Sequence, residues 1–183
     1  MVFYTDRLIL RRWEESEAEE MFKYASDPDV GPITGWPPHE SVEDSLYVIQ
    51  NVLTGEEAYA VCLKETGKPI GTIELKLGDK AELAANEDQC ELGFWLGKPY
   101  WGQGIMPEAS RELVRHAFED LGFNTVWCGY YEGNRKSMRA QEKIGFKYYG
   151  KKENVDVPLM GEKRTVYISC ITKEDWLTNL QKI

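Results

Sequence analysis

The chain has 183 residues, of which 42% are hydrophobic and 29% charged, and it carries a formal net charge of −9. That length suits one domain, spanning 1–183, that buries its core without disulfide or metal staples, and the acidic balance argues against non-specific nucleic-acid binding, which needs a basic surface to displace counterions. No apolar run approaches the ~20 residues of a membrane span, and Met1 to Arg7 lacks the basic start and apolar centre of a secretory signal, so the cytoplasm is the expected location.

Thr5 to Trp13 reads as a strand. Ser16 and Glu19 have capping-box spacing, and Ala18, Met21, Phe22 and Ala25 follow at helical intervals. That helix stops before Asp27-Pro28. Asp29 to Glu40 contains two glycines, three prolines and Trp36, which reads as a shaped loop. Ser41 opens a second helix whose Val42, Leu46, Ile49 and Leu53 form one apolar stripe. Ala58–Lys64 and Ile70–Leu77 read as strands joined in a hairpin, and a polar loop from Gly78 to Gln89 leads to a third strand, Cys90–Leu96. A helix is expected from about Pro107 to Leu121, with Ala109, Leu113, Ala117 and Leu121 on one face and Gly122 as its stop. After it come a strand at Asn124–Tyr131, a helix at Asn134–Ile144, strands near Phe146–Lys152 and Thr165–Thr172, and a short helix from Lys173. The order is β-α-α-β-β-β-α-β-α-β-β, an α/β (α+β) domain.

Cys62, Cys90, Cys128 and Cys170 are far apart and each falls in a strand-like run. They read as buried thiols, since cysteine packs as a small hydrophobe. No CxxC spacing or histidine pair suggests a metal, and His39 and His116 stand alone.

Between the strand Cys90–Leu96 and the following helix lies Tyr100-Trp101-Gly102-Gln103-Gly104-Ile105-Met106-Pro107-Glu108-Ala109. Glycines let successive N–H groups turn toward one point, and a helix N-terminus adds partial positive charge there. Such a loop suits a phosphate or pyrophosphate; an ordinary strand-to-helix connection uses glycine too.

The element order, with a glycine loop after the fourth strand, resembles the GNAT N-acetyltransferase superfamily. Three stretches resemble its Rim branch, the ribosomal-protein N-terminal acetyltransferases and their relatives: Thr5-Asp6-Arg7-Leu8-Ile9-Leu10-Arg11, Trp101 through Ala109, and Asn134-Arg135-Lys136-Ser137 with Glu142-Lys143-Ile144-Gly145-Phe146. The resemblance implies a mixed central sheet with helices on both faces, acetyl-CoA as donor and a primary amine as acceptor, with no metal. It implies that backbone amides of Gly102, Gln103, Gly104, Ile105 and Met106 hold the pyrophosphate. The pantetheine arm would lie beside Phe94, Trp95 and Leu96 like an added strand, and Asn134 would contact that arm. Trp101 and Met106 depart from the residues usual at the first and last places of the loop. Dimers are common in the branch, so a homodimer is among the implied partners.

Acetyl transfer needs a base for the ammonium and a donor for the leaving thiolate. Glu91 is the candidate base; an exposed strand-edge glutamate in a chain with 31 acids is the alternative. Many relatives place a tyrosine acid seven residues beyond the asparagine, where this chain has Gln141, and Ser137 fits the Rim-type alternative. Serine and asparagine at a helix start also serve as caps. Arg135, Lys136, Arg139 and Lys143 form a basic helix suited either to the ribose phosphate or to solvent. Trp36 is the candidate wall of the acceptor pocket, with packing onto the core as the other reading. An acceptor could be a protein N-terminus or a small-molecule amine. An acyl-CoA-binding regulatory protein without turnover is the alternative class.

Overall fold

In the computed structural model, which describes residues 1–180, the chain opens with a short hairpin, β1 (Phe3–Tyr4) and β2 (Leu8–Arg11). β2 is thus shorter than the run Thr5–Trp13. Three helices follow: α1 (Ala18–Ala25), the single turn α2 (Gly31–Thr34) inside the expected loop, and α3 (Val42–Asn51). The entry to α1 is set two residues earlier than Ser16 and Glu19 imply. Arg11 donates two hydrogen bonds to the Glu17 carboxylate, at 2.9 and 2.6 Å, and the Glu14 N–H donates to the same carboxylate. Ser41 caps α3 as expected, its Oγ accepting from the Asp44 N–H while the Asp44 carboxylate accepts from the Ser41 N–H.

Three antiparallel strands come next: β3 (Ala58–Leu63), β4 (Pro69–Lys76) and β5 (Gln89–Leu96). The helix α4 (Ile105–Glu119) begins at Ile105 rather than Pro107, because Gly104 in left-handed conformation already turns the chain into it. Pro107 falls in the first turn, where no intrahelical acceptor awaits its missing N–H. Leu121 lies past the helix and is exposed. Then come β6 (Thr125–Tyr131), α5 (Arg135–Ile144), the long hairpin β7 (Lys147–Val157) and β8 (Glu162–Thr172), and α6 (Lys173–Leu180).

The eight strands form one sheet in the order β1-β2-β3-β4-β5-β6-β8-β7, antiparallel throughout except for β5 beside β6. Side chains alternate between the faces. Leu8, Leu10, Ile73, Leu92 and Val126 pack with Ala109, Leu113 and Ala117 of α4, and Ile144 of α5 joins that cluster. On the opposite face Ala58 and Trp95 meet Met21, Ala25, Ile49 and Leu53 from α1, α3 and the turn after α3. Helices therefore cover both faces. The four cysteines are free thiols in β3, β5, β6 and β8, and burial pushes Cys62 up to about 11 and Cys90 up to about 12. No helix among the described residues is long and apolar enough to cross a membrane.

Candidate active site

The parallel pairing of β5 and β6 covers only Gln89–Glu91 against Thr125–Trp127; beyond it the two strands separate. A cleft of about 1240 Å³ opens there. It is lined by Phe94 and Leu96 on the α4 side and Trp95 on the α1 side. The Leu96 carbonyl accepts from the Trp101 indole N–H at 2.7 Å, so the loop after β5 is tied to the strand's open edge.

Gly102 and Gly104 have φ of +78° and +76°, a region that favours glycine. Among the described residues no acceptor takes the N–H groups of Gly102, Gly104, Ile105 or Met106. They stand at the N-terminus of a 15-residue helix, whose dipole reinforces them. The Met106 side chain is buried in the core. Gln103 is outside the cleft lining: its side-chain amide donates to the Pro99 carbonyl and its own carbonyl accepts from Arg7.

Arg7 and Glu108 brace this loop, a role the sequence reading does not assign to them. Glu108, in the first turn of α4, accepts from Thr5 Oγ1 at 2.6 Å, from the Arg7 N–H at 2.8 Å and from Arg7 Nε at 2.6 Å. Burial works against its charge, but these donors outweigh it and hold the carboxyl below the usual range. Arg7 thereby joins the β1–β2 turn to the Gln103 carbonyl and to the helix start. The Thr-Asp-Arg opening of the chain acquires a physical reason: it clamps the donor loop from behind.

On the other side of the cleft stands α5. Asn134 caps it, accepting from the Ser137 N–H at 3.1 Å, and donates to the Ile33 carbonyl at 3.3 Å. Asn134 and Ser137 both line the cleft. Ser169 Oγ donates to Gln141 Oε1, which leaves the Gln141 amide nitrogen to donate to Ser137 Oγ at 3.1 Å. Gln141, buried at 1% exposure, thus occupies one lone pair of Ser137 and leaves its hydroxyl proton free. Lys136, Arg139 and Lys143 line the cleft and Arg135 does not; the Lys136 ammonium lies 4.2 Å from the centre of the Trp101 ring.

The far end of the cleft is acidic and aromatic. Trp36 packs edge-on against Trp95 and tilted against His39, with ring centres 5.7 and 5.3 Å apart, and it lines the cleft while also joining the α1–α3 cluster. Burial holds His39 below its ordinary value, and its Nδ1 lies 2.7 Å from Ser45 Oγ. Glu91 pairs with Lys76 at 3.3 Å and accepts from the Leu83 N–H at 3.0 Å, so both its oxygens have donors. Glu74, Glu82 and Asp156 also line the cleft, as do Lys76 and Lys152. The described residues contain no cluster of three His, Cys, Asp or Glu suited to a metal.

Residues 7–147 match the acetyltransferase (GNAT) domain family. The uncharacterized N-acetyltransferase p20 of Bacillus licheniformis is 28% identical over 152 residues, 80% of this chain and 83% of that protein. A Bacillus subtilis protein named as a ribosomal N-acetyltransferase, YdaF, is 41% identical over 63 residues, 34% of each chain. The fold is shared with a ribosomal-protein-serine acetyltransferase from Vibrio cholerae, at a TM-score of 0.76 and 21% identity over 94% of this chain and 97% of that one. With the split strands, the free loop amides and a family match across most of its length, this chain belongs to the GNAT acetyltransferase family and is an N-acetyltransferase.

Proposed function

We propose that the protein moves an acetyl group from acetyl-CoA to a primary amine by direct attack of the amine on the thioester, the whole chain acting as one domain. The observation that carries this reading is the continuity of the cleft. One end offers unpartnered backbone N–H donors and three cationic side chains of α5, the middle is the unpaired edge of β5, and the other end is acidic and aromatic.

The residues fit acetyl-CoA. Gly102, Gly104, Ile105 and Met106 would donate to its pyrophosphate, and Gln103 would shape that loop through its backbone alone. Phe94, Trp95 and Leu96 would flank the peptide-like arm, with Asn134 and Ser137 opposite. When bound, the thioester supplies an activated acyl carbon and a thiol leaving group. Ser137, its lone pair engaged by Gln141, would donate its proton toward the departing sulfur. Glu91 and Glu74 are the two carboxylates at the acceptor end beside the β5 edge, and Trp36 would be the wall against which the acceptor body rests.

The charge distribution favours a cationic acceptor, either a protein N-terminus or a small polyamine-like molecule. A thiol-release assay with acetyl-CoA and a panel of amines tests the reading, with calorimetry for acetyl-CoA alone. Binding and amine-dependent release are expected. Binding without release under any amine would leave the protein an acyl-CoA binder.

A further inference from the structure

The register between β4 and β5 treats two neighbouring glutamates differently. Lys76 stands directly opposite Glu91, and the two form the ion pair described above. Glu74 stands between Ala58 of β3 and Gly93 of β5 and so has no charged or polar cross-strand side chain to answer it. Among the described residues its carboxylate has no hydrogen-bond donor and no ion pair within 4 Å, although it lines the cleft and is half-buried.

The missing side chain of Gly93 also decides where that carboxylate lies. A methyl group built on Gly93 would come within 3.3 Å of Glu74 Oε1 and 3.3 Å of Lys76 Cε. Glu74 therefore reaches across β5, above Gly93. It sits one strand nearer the open edge than its own backbone, and two residues before Trp95.

We propose that Glu74 is the group that takes the proton from the acceptor ammonium. This inference rests on the acetyl-transfer reading. In the step, an N–H bond of the ammonium breaks and its proton goes to a Glu74 oxygen, leaving the nitrogen lone pair free. That pair forms the C–N bond while the C–S electron pair passes to sulfur. The nitrogen gives up a second proton as the amide forms, and the thiolate gains one. Glu74 then returns its proton to solvent.

The surroundings suit a base. Burial raises the Glu74 carboxyl above its ordinary value, the Lys76 charge works the other way, Glu91 adds to the rise and Lys80 opposes it. A carboxylate so shifted is a stronger base than a solvated one. Glu91, held by Lys76 and the Leu83 N–H, positions Lys76 and the loop after β4 instead of exchanging protons.

The test compares wild type with Glu74→Gln, Glu74→Asp and Glu91→Gln in thiol release from acetyl-CoA. The acceptors are a short basic peptide with a free N-terminus and spermidine, from about pH 5 to 9, with acetyl-CoA affinity by calorimetry. Glu74→Gln is expected to lower kcat by ~10²-fold or more and to remove the acidic limb of the profile, with acetyl-CoA affinity and melting temperature kept. Glu74→Asp, one methylene shorter, should keep the limb at reduced kcat, and it serves where Glu74→Gln fails to fold. Full kcat with an unchanged limb in Glu74→Gln, or loss of the limb in Glu91→Gln alone, overturns the proposal. No release by wild type with any amine overturns the transfer reading itself, and the proposal with it.

Discussion

Ser137 and Gln141 show how a side chain without acid chemistry can hold a hydroxyl in place. Gln141 is fully buried between Ser169 and Ser137, and each of its amide atoms has one partner. Ser137→Ala should lower kcat by ~10²-fold with little change in acetyl-CoA affinity, measured by steady-state kinetics and calorimetry. Gln141→Leu removes the donor to the Ser137 hydroxyl and leaves the Ser169 hydroxyl with only the Cys128 carbonyl, at 3.4 Å, as acceptor. It should cost about 1–3 kcal/mol in stability, read by denaturant unfolding, and lower kcat less than Ser137→Ala because the hydroxyl remains. A kcat loss in Gln141→Leu without any stability loss would mean that the Cys128 carbonyl replaces Gln141 as the acceptor of Ser169. The position of Gln141 was legible in the sequence, seven residues beyond Asn134; its use was not. Ser169 lies in β8, 28 residues on, and only the sheet brings it to α5. Glu74 escaped for the same reason, since a strand sequence does not reveal which partner residue across the ladder is a glycine.

At the scale of elements, the donor loop is held by its backbone conformation and by the β1–β2 turn behind it. Gly104→Val places a β-branched side chain at φ +76°, and an added Cβ there lies 3.6 Å from Arg7 Nη2. The left-handed penalty alone is roughly 1–2 kcal/mol, so the loop should lose its shape and acetyl-CoA affinity should fall. Unchanged affinity in a folded Gly104→Val protein would refute the pyrophosphate assignment. Glu108 gives an independent probe of the same brace. Its folded pKa is depressed, so the stability it contributes is present above the unfolded value and is lost as pH falls through the folded one. Wild type should therefore lose more stability on acidification below about pH 4.5 than Glu108→Gln does, in melting curves taken across that window. Helical periodicity and the glycine loop were legible because each depends on a few neighbouring residues. Three elements were not: the two-residue β1 is too short to show an alternation. Glycine and proline content hid the single turn α2, and β7 beyond Lys152 is mostly exposed, so its pairing with β8 leaves no apolar alternation to read.

For the whole molecule, the fold brings charge to the cleft. Lys136, Arg139 and Lys143 of α5 line it, and so do Glu74, Glu82 and Asp156 from the sheet and its loops, together with Lys76 and Lys152. A chain of net charge −9 thus brings both cationic and anionic side chains to one groove. An exposed acidic rim attracts a cationic amine over roughly 10 Å at 0.1 M salt and only about 3 Å at 1 M, so acceptor KM should rise with salt. Shape then discriminates among amines of like charge, because desolvation and close packing differ where charge does not. Trp36 is the residue we propose for that role, and it also packs edge-on against Trp95 of the β5 edge. Trp36→Ala should raise acceptor KM by about tenfold, equivalent to about 1.4 kcal/mol of lost binding, with acetyl-CoA Kd nearly unchanged. Both constants are measured in one protein, at low and high salt, with a basic N-terminal peptide and a polyamine. A rise confined to one acceptor identifies the class whose body lies against the indole. Equal loss for acetyl-CoA and for both acceptors would mean that Trp36 acts by holding Trp95 in place, and selectivity would then rest with the β7–β8 hairpin that carries Lys152 and Asp156 to the same rim.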